Sequence, residues 1–323
     1  MPFFSAKVPS DYEKSERLDK FIASLPNGMN RSKLKSGVTE ILVNGKKVKI
    51  SQKVKAGDQI DIQWEDNIPD NIEPENIPLD IVYEDENVTV VNKAQGMVTH
   101  PACGNWTGTL VNALLYHWGR QSIEQIKDGS DQEILARRRP GIVHRLDKDT
   151  SGLIITAKNR MSEEWLQKQF KDKTLQKEYI CICCGRPPAE SGDIRTQIIR
   201  DPKNRHRFKA VENTSEGKFA RTIYHCLATY GNFSLIRVRI KTGRTHQIRV
   251  HMKYLNCPIL GDAIYNKPNS EFPDATLMLH SCRLKICLPG SEKLSVFRAR
   301  TPERFLQVEK KLKAKYPKNQ SWK

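Results

Sequence analysis

Residues 141–152 read Gly-Ile-Val-His-Arg-Leu-Asp-Lys-Asp-Thr-Ser-Gly, and Leu-Ile-Ile-Thr follows at 153–156. The apolar runs of this segment are typical of buried strand, and Arg145 and Asp147 place two opposite charges among them. In an extended chain alternate side chains share a face, so Arg145 and Asp147 would point the same way. Charged residues are rarely fully buried without a partner. The pattern therefore predicts either a structural ion pair at a strand end or a carboxylate and a cation that face a cleft.

Residues 147–158 match a calcium-binding loop in part but lack its last ligand. Its first, third, fifth and sixth positions match Asp147, Asp149, Ser151 and Gly152. The twelfth position, which should hold a bidentate carboxylate, is Lys158. No calcium is expected, and the short polar residues with a glycine predict a tight turn instead. A Ser/His/Asp triad is not expected either, because the serine lacks a nucleophile elbow.

The composition indicates a polyanionic partner. The chain has 323 residues, enough for two domains, and carries 54 Lys and Arg against 37 Asp and Glu, a net charge of +17. Such an excess favours nucleic acid over a neutral small substrate. An anionic membrane is the competing polyanion, but no apolar run approaches a membrane span and the first residues lack a signal-peptide core. We therefore expect a cytoplasmic protein without a membrane partner.

Motifs for cofactors and metals are missing from the sequence. There is no Walker loop and no Gly-x-Gly-x-x-Gly. The eight cysteines are expected to be reduced thiols. Cys181, Cys183 and Cys184 form the only cluster, and no second Cys or His pair stands at zinc spacing. We predict neither a metal nor a small-molecule cofactor.

Residues 11–64 predict a small, strongly basic domain. Apolar residues recur at helical spacing over 17–25, and Asn44-Gly45 predicts a tight hairpin between two strands. Between residues 31 and 55 a single acid, Glu40, stands against eight basic residues: Arg31, Lys33, Lys35, Lys46, Lys47, Lys49, Lys53 and Lys55. This surface is either generically solvated or a face for nucleic acid.

The rest of the chain predicts one larger domain and its connections. Residues 65–78 are acidic, contain three prolines and predict a linker. Over 79–302 helices and strands alternate irregularly, which predicts an α+β domain around a largely antiparallel sheet. A helix over 161–170 is predicted to bury Trp165, Leu166 and Phe170. Residues 303–323 predict a helix that runs into a basic tail.

Two further motifs lie in the larger domain. Lys-Glu-Tyr at 177–179 begins a predicted strand, where an isolated Tyr179 would most often be a core aromatic. Gly-Arg-Thr-His-Gln-Ile-Arg-Val-His occupies 243–251. Its apolar residues share one helical face, which leaves Arg249 beside that face and Arg244 near the helix start, where anions are stabilised.

In order and spacing, residues 144–152, 177–179 and 243–251 resemble the three motifs of the RluA-type pseudouridine synthases. This resemblance extends from residue 79 to about 300 and implies a mixed, largely antiparallel sheet with flanking helices and a central cleft. The segment 11–64, with Val-Asn-Gly-Lys-Lys-Val at 43–48, resembles the RNA-binding module named after the fourth protein of the small ribosomal subunit.

The resemblance implies an isomerase that converts specific uridines, above all in large-subunit ribosomal RNA, to pseudouridine. It implies that Asp147 is the catalytic carboxylate, Tyr179 the active-site tyrosine and Arg249 the basic partner of the aspartate. Arg145 would fill the gap left by a flipped uridine. A monomer is expected, and RNA contacts are expected from basic residues: Arg145, Arg31, Lys33, Lys46, Lys47, Arg205, Arg207 and Arg244.

Two other functions are open at this stage. A non-catalytic RNA-binding or ribosome-assembly factor would keep the basic surfaces and give Asp147 a structural role. A hydrolytic nucleoside glycosylase would release free uracil.

Pseudouridine formation moves the base from a nitrogen to a carbon bond without redox change or hydrolysis, which accounts for the missing cofactor motifs.

Overall fold

The computed structural model describes residues 3–25, 34, 38–64, 71–102, 105–124, 141–204, 207–212 and 214–316. The chain divides into two compact units, Met1–Asp70 and Asn71–Lys323. The boundary falls inside the acidic, proline-containing stretch 65–78.

The described part of the first unit contains a small antiparallel sheet and a short helix, Leu18–Ser24. Its elements are β1 (Phe3–Lys7), β2 (Glu16–Arg17), α1 (Leu18–Ser24), β3 (Val38–Val43), β4 (Lys46–Lys47), β5 (Lys53–Val54) and β6 (Gln59–Trp64). Four strands follow the order β1-β6-β3-β4, and β2 pairs with β5. Leu18, Phe21 and Ile22 of α1 are buried in one core with Ile60 and Ile62 of β6.

The predicted hairpin of this unit is confirmed. Asn44 and Gly45 connect β3 to β4 with φ angles of 53° and 73°, as a type I′ turn requires. The Asn44 side chain accepts from Gln59 N at 2.9 Å and donates to the Asp58 carboxylate at 2.8 Å. These bonds fasten the turn to the neighbouring strand.

The second unit is built around one large mixed sheet. Its strands are β7 (Asn71–Ile72), β8 (Ile81–Glu84), β9 (Val88–Lys93), β10 (Ile123–Glu124), β11 (Ser151–Ala157), β12 (Gln176–Cys184), β13 (Ser191–Arg200), β14 (Phe208–Val211), β15 (Lys218–Tyr230), β16 (Phe233–Ile240), β17 (Leu279–Cys287) and β18 (Leu294–Arg298). Its helices are α2 (Leu110–His117), α3 (Arg160–Asp172), α4 (Gln247–Tyr254) and α5 (Glu303–Lys315). Among the described residues the sheet order is β14-β13-β15-β16-β12-β17-β11-β9-β8, with β18 beside β17. The expected α+β class with a largely antiparallel sheet is confirmed.

The parallel contact in this sheet lies where the central motif enters it. β11 begins parallel to β17, with Ser151 opposite His280 and Gly152 opposite Ser281. Gly152 has φ +113°, and a Cβ atom there would lie 2.3 Å from the Ser281 carbonyl oxygen. Only glycine permits this approach. The turn that precedes β11 is thereby placed at the end of two central strands.

The packing of α3 corrects one expectation. Leu166 is fully buried, but Trp165 is 41 % exposed and donates its indole N–H to the Cys287 carbonyl at 3.2 Å. Adjacent helical residues point in directions about 100° apart, so Trp165 lies at the edge of the face that Leu166 buries. The prediction that Trp165 is buried was wrong.

The helix α4 is held against the sheet by a buried histidine. His251 lies between two hydroxyls, with Nε2 at 3.1 Å from Thr196 Oγ1 of β13 and Nδ1 at 2.7 Å from Thr222 Oγ1 of β15. Burial lowers the pKa of His251 to about 4. This neutral side chain fixes the rotation of α4, and hence the direction of the residues on its other sides.

The predicted C-terminal helix is confirmed as α5, and it packs within the second unit. Phe305, Val308 and Leu312 are buried in the main core. From the predicted linker, residues 71 and 72 form β7, which pairs with β10 of the same unit. In the part of the chain that the structure describes, no helix combines the length and apolarity needed to cross a membrane.

We expect the free energy of unfolding to fall as the pH is lowered from 6.5 towards 4. The folded state keeps His251 neutral, whereas the unfolded chain binds a proton below the ordinary pKa of 6.5. The stabilisation is complete above pH 6.5 and lost progressively down to about pH 4, by roughly 3 kcal/mol for the whole shift. The measurement is urea unfolding between pH 7 and pH 4.

The variant His251→Gln should show a shallower slope over this range. Some slope should remain, because burial also lowers the pKa of His280 to about 4. His225→Gln, at an exposed position of β15, is the control and should match the parent protein. Equal slopes for His251→Gln and the parent would contradict the assignment.

Candidate active site

A cavity with about 590 Å³ of empty space opens beside the turn that precedes β11. The residues that line it come from all three sequence motifs and include Arg145, Asp147, Lys177, Tyr179, His246 and Arg249. Residues separated by up to about a hundred positions in the chain therefore meet at one opening. The structure brings together the three residues that were expected to carry chemistry.

Asp147 occupies the turn itself. Thr150 N donates to the Asp147 carbonyl at 3.1 Å, which closes the turn predicted from the polar residues. The carboxylate is 21 % exposed and faces the cavity. Its Oδ2 atom lies 3.3 Å from Nη1 of Arg249 and 3.9 Å from Nε2 of His246. Asp147 is thus a partly exposed carboxylate held beside a permanent cation.

Arg249 is held more tightly by a second carboxylate than by Asp147. Its Nε and Nη2 atoms donate to the two oxygens of Asp262, each at 2.8 Å. Asp262 is fully buried and also accepts from the backbone N–H groups of Ile264 and Tyr265. This bidentate pair sets the plane of the guanidinium and leaves Nη1 for Asp147.

The charge of Arg249 is stabilised in spite of its burial. Desolvation disfavours the charge, but the hydrogen bonds and negative charges of Asp262 and Asp147 outweigh it, so the pKa of Arg249 is raised above its ordinary value. Sequence reasoning did not find Asp262. The available signal was an acid two positions after the apolar pair Ile259-Leu260, separated from it by Gly261.

Tyr179 supplies a neutral hydroxyl to the cavity. It lies on β12 opposite Ser281 and is only 4 % exposed. Burial raises the pKa of Tyr179 above its ordinary value of 10, and the Asp147 charge adds to this, although a hydrogen bond with Ser281 opposes it. The phenol therefore stays protonated at neutral pH and can act as a hydrogen-bond or proton donor.

His246 presents a second neutral group. It begins α4 in the left-handed conformation, with φ 54°, and its Nδ1 atom lies 2.8 Å from the hydroxyl of Tyr265. That hydroxyl also accepts from Phe208 N at 2.9 Å. Burial lowers the pKa of His246. The neutral ring thus lies between Tyr265 and Asp147, with its Nε2 atom on the side of the Asp147 carboxylate.

Lys93 binds the backbone of the turn that carries Asp147. It is almost fully buried, and its ammonium donates to the carbonyls of Ala94, Met97 and Lys148 at 2.8–3.1 Å. Burial lowers the pKa of Lys93 to about 7, against the opposing charges of two aspartates. Sequence reasoning gave this lysine no role. By binding the carbonyl next to Asp147 it ties the turn to the end of β9.

The basic residues expected to contact RNA are distributed over both units. Arg145 and Arg244 line the cavity, and Arg244 donates to the Phe219 carbonyl at 3.0 Å. Lys46 and Lys47 are exposed on the first unit, and Arg207 is exposed on the second unit, where it does not line the cavity. Three further expected residues lie outside the described part of the chain: Arg31, Lys33 and Arg205. Within that described part, no group of three or more His, Cys, Asp or Glu could hold a metal ion.

A family model and curated proteins that match this chain share one description, that of pseudouridine synthases. A family model described as RNA pseudouridylate synthase matches residues 87–254. The chain is 42% identical to "Ribosomal large subunit pseudouridine synthase D" of Borreliella burgdorferi, over 91% of this chain and 89% of that protein. It is 39% identical to "Uncharacterized RNA pseudouridine synthase YlyB" of Bacillus subtilis, over 93% and 95%.

A solved structure shows the same fold. The human protein titled "RNA Pseudouridylate Synthase Domain Containing 1" aligns with a TM-score of 0.55 at 24% sequence identity. The alignment covers 76% of this chain and 91% of the human one. The fold of the second unit is therefore shared with proteins of that description.

Replacing Asp262 by alanine is expected to lower the free energy of unfolding by about 3–5 kcal/mol, because a buried guanidinium would lose its bidentate partner. Asp193→Ala is the control, since it also removes a carboxylate bound by arginines, but at a partly exposed site. Its expected cost is below about 1 kcal/mol. The measurement is urea unfolding at pH 7.

The double variant Asp262→Ala with Arg249→Met should recover much of the loss, because it removes the unpaired charge as well. Equal costs for the two aspartates would show that the buried pair does not hold Arg249 in place.

Proposed function

Since this chain belongs to the RNA pseudouridylate synthase family and is an RNA pseudouridine synthase, we propose that Asp147 is its catalytic carboxylate and large-subunit ribosomal RNA its substrate. The observation that carries the proposal is the Asp147 carboxylate, which faces a cavity while Arg249 holds it at 3.3 Å. The relative from Borreliella burgdorferi, named for the large ribosomal subunit, supports the choice of RNA.

The reaction is an isomerisation that needs no external reagent. The bond between uracil N1 and ribose C1′ breaks, the base turns, and a bond forms between C5 and C1′. The proton on C5 leaves and N1 gains one, so atoms and electrons balance without an oxidant or water. The base must leave the RNA stack before a carboxylate can reach it.

The geometry suits Asp147 for the bond-breaking step. A partly exposed, ionised carboxylate can attack C1′ of the ribose or add to C6 of the uracil ring, and either route needs it at the cavity wall with a fixed orientation. Arg249 supplies that orientation and offsets the negative charge in a site from which water is partly excluded. Asp262 keeps the guanidinium in position throughout.

Tyr179 serves as the proton donor in this proposal. Its raised pKa keeps the phenol protonated, so it can donate to an oxygen of the sugar or the base and stabilise negative charge as it develops. A base role at neutral pH would require a phenolate, which burial and the neighbouring carboxylate both disfavour.

The remaining residues bind and position the RNA. Arg145, exposed at the cavity mouth, fills the space that the everted uridine leaves. Residues 11–64 form an RNA-binding module, and residues 65–78 connect it to the catalytic domain 79–302, which residues 303–323 follow. The other basic residues predicted to bind RNA contact its phosphates: Arg31, Lys33, Lys46, Lys47, Arg205, Arg207 and Arg244. The enzyme acts as a monomer without a small-molecule cofactor.

Asp147→Asn is expected to lower the rate of pseudouridine formation by about a thousandfold or more, while RNA binding persists. The amide keeps the shape of the side chain but cannot act as a nucleophile. Product is measured by nucleoside analysis of digested large-subunit ribosomal RNA after incubation with each variant. Asp149→Asn, an exposed carboxylate on the same turn, is the control and should retain activity.

Each alternative has its own signature in the same assay. Product formation by Asp147→Asn at the parent rate would exclude the catalytic assignment and favour a binding or assembly factor. Release of free uracil would indicate a glycosylase.

Tyr179→Phe should reduce kcat by about a hundredfold with little change in KM, because the variant removes a proton donor and leaves the ring in place. Single-turnover rates on the same RNA measure the effect. Tyr224→Phe removes another buried hydroxyl of the sheet, away from the cavity, and should stay within about threefold of the parent. Similar losses for both tyrosines would point to a general packing defect.

A further inference from the structure

A second cavity, with about 1090 Å³ of empty space, adjoins the one that contains Asp147. The two cavities share part of their walls, formed by Arg145, Lys177, Ile240, Gly243 and Arg244. The second cavity extends from this shared wall towards the end of α3 and the residues after it. A group bound there would lie next to whatever occupies the first cavity.

The charges around the second cavity are of one sign. Its described lining residues include six that are positively charged and none that is acidic: Arg145, Lys171, Lys173, Lys177, Lys241 and Arg244. None of the six forms an ion pair with a carboxylate in the described part of the chain. So many cations around one concave space favour an anion within it.

Lys177 gives the strongest support for a bound anion, because its side chain is half-buried. Its ammonium lies 5.2 Å from the centre of the Phe170 ring, and burial lowers its pKa to about 8. Removing a charge from water is costly unless an opposite charge compensates. The cation–π contact compensates only in part. A bound anion would complete the compensation.

The chemistry of the lining favours a phosphate over a nucleobase. Phe170 is the aromatic ring on which a base could stack, but it already stacks on His144, with centroids 4.7 Å apart and an angle of 24°. It also carries the Lys177 ammonium. Recognition of a base needs a free aromatic face and matched donors and acceptors, whereas lysine and arginine side chains are the usual ligands of phosphate oxygens.

We propose that the second cavity binds the phosphodiester group next to the target uridine, so that Lys171, Lys173, Lys177 and Lys241 hold the RNA backbone while the base occupies the cavity of Asp147. This inference rests on the proposed function. A uridine in the first cavity has a phosphate on each side of its ribose, and one of them lies at the shared wall. Backbone contacts there offset the free energy needed to evert the base.

The test compares lysines of one helix. Lys171 belongs to α3 and lines the cavity, whereas Lys168 is exposed on the same helix and does not line it. The double variant Lys171→Gln with Lys173→Gln should raise KM for a large-subunit ribosomal RNA transcript roughly tenfold, an effect on binding rather than on kcat. It should also reduce the slope of log KM against log salt by about one. Lys168→Gln should change KM less than about twofold.

A second arm identifies the phosphate. In a synthetic RNA that carries the modified uridine, a neutral methylphosphonate replaces the phosphodiester on the 5′ side or on the 3′ side. One of the two replacements should raise KM for the parent protein. The same replacement should cause no further rise in KM for the double lysine variant, because the lysine substitutions and the methylphosphonate remove the same contact. Additive penalties at both positions, or an equal effect of Lys168→Gln, would overturn the proposal.

The two proposals fail in different ways. The lysine changes can be repeated in Asp147→Asn and read as the dissociation constant of the same synthetic RNA, without turnover. Loss of affinity there supports the phosphate site whatever the catalytic role of Asp147. Unchanged affinity there overturns the phosphate site even if Asp147→Asn is inactive as proposed.

Discussion

The site depends on one buried guanidinium shared by two carboxylates. Arg249 gives its two shortest bonds to Asp262, which is fully buried, and its remaining face to Asp147, which is partly exposed. Because they differ in burial, Asp262 and Asp147 have different roles. The dry, bidentate pair is rigid and holds the cation, whereas the exposed carboxylate stays accessible to a substrate.

The turn that carries Asp147 is fixed by the backbone around it. Gly152 allows β11 to start against β17, at a distance that a side chain would forbid. Lys93 binds three carbonyls, including that of Lys148 beside the aspartate. Both constraints act on the chain rather than on the carboxylate. The backbone of the aspartate is therefore held in position while its carboxylate remains partly exposed to the cavity.

Much of the site could be identified from local sequence. Asp147, Tyr179 and Arg249 each lie in a short motif with a recognisable order, and the structure places all three around one cavity. Local rules also predicted the Asn44-Gly45 hairpin and the helix α5. They failed for Trp165, because helical spacing limits which residues share a face but does not say how wide the buried face is.

The three motifs, the α+β class and the excess of positive charge could be predicted from the sequence, because they depend on residue types and on spacing along the chain. The groups that support the motifs became identifiable only in the folded chain. Asp262 and Lys93 were missed because their partners are a guanidinium and carbonyls from other segments, and such partners leave no periodic signal. The adjoining basic cavity likewise arises where α3, β12 and the loop before α4 converge, a proximity that chain order does not encode.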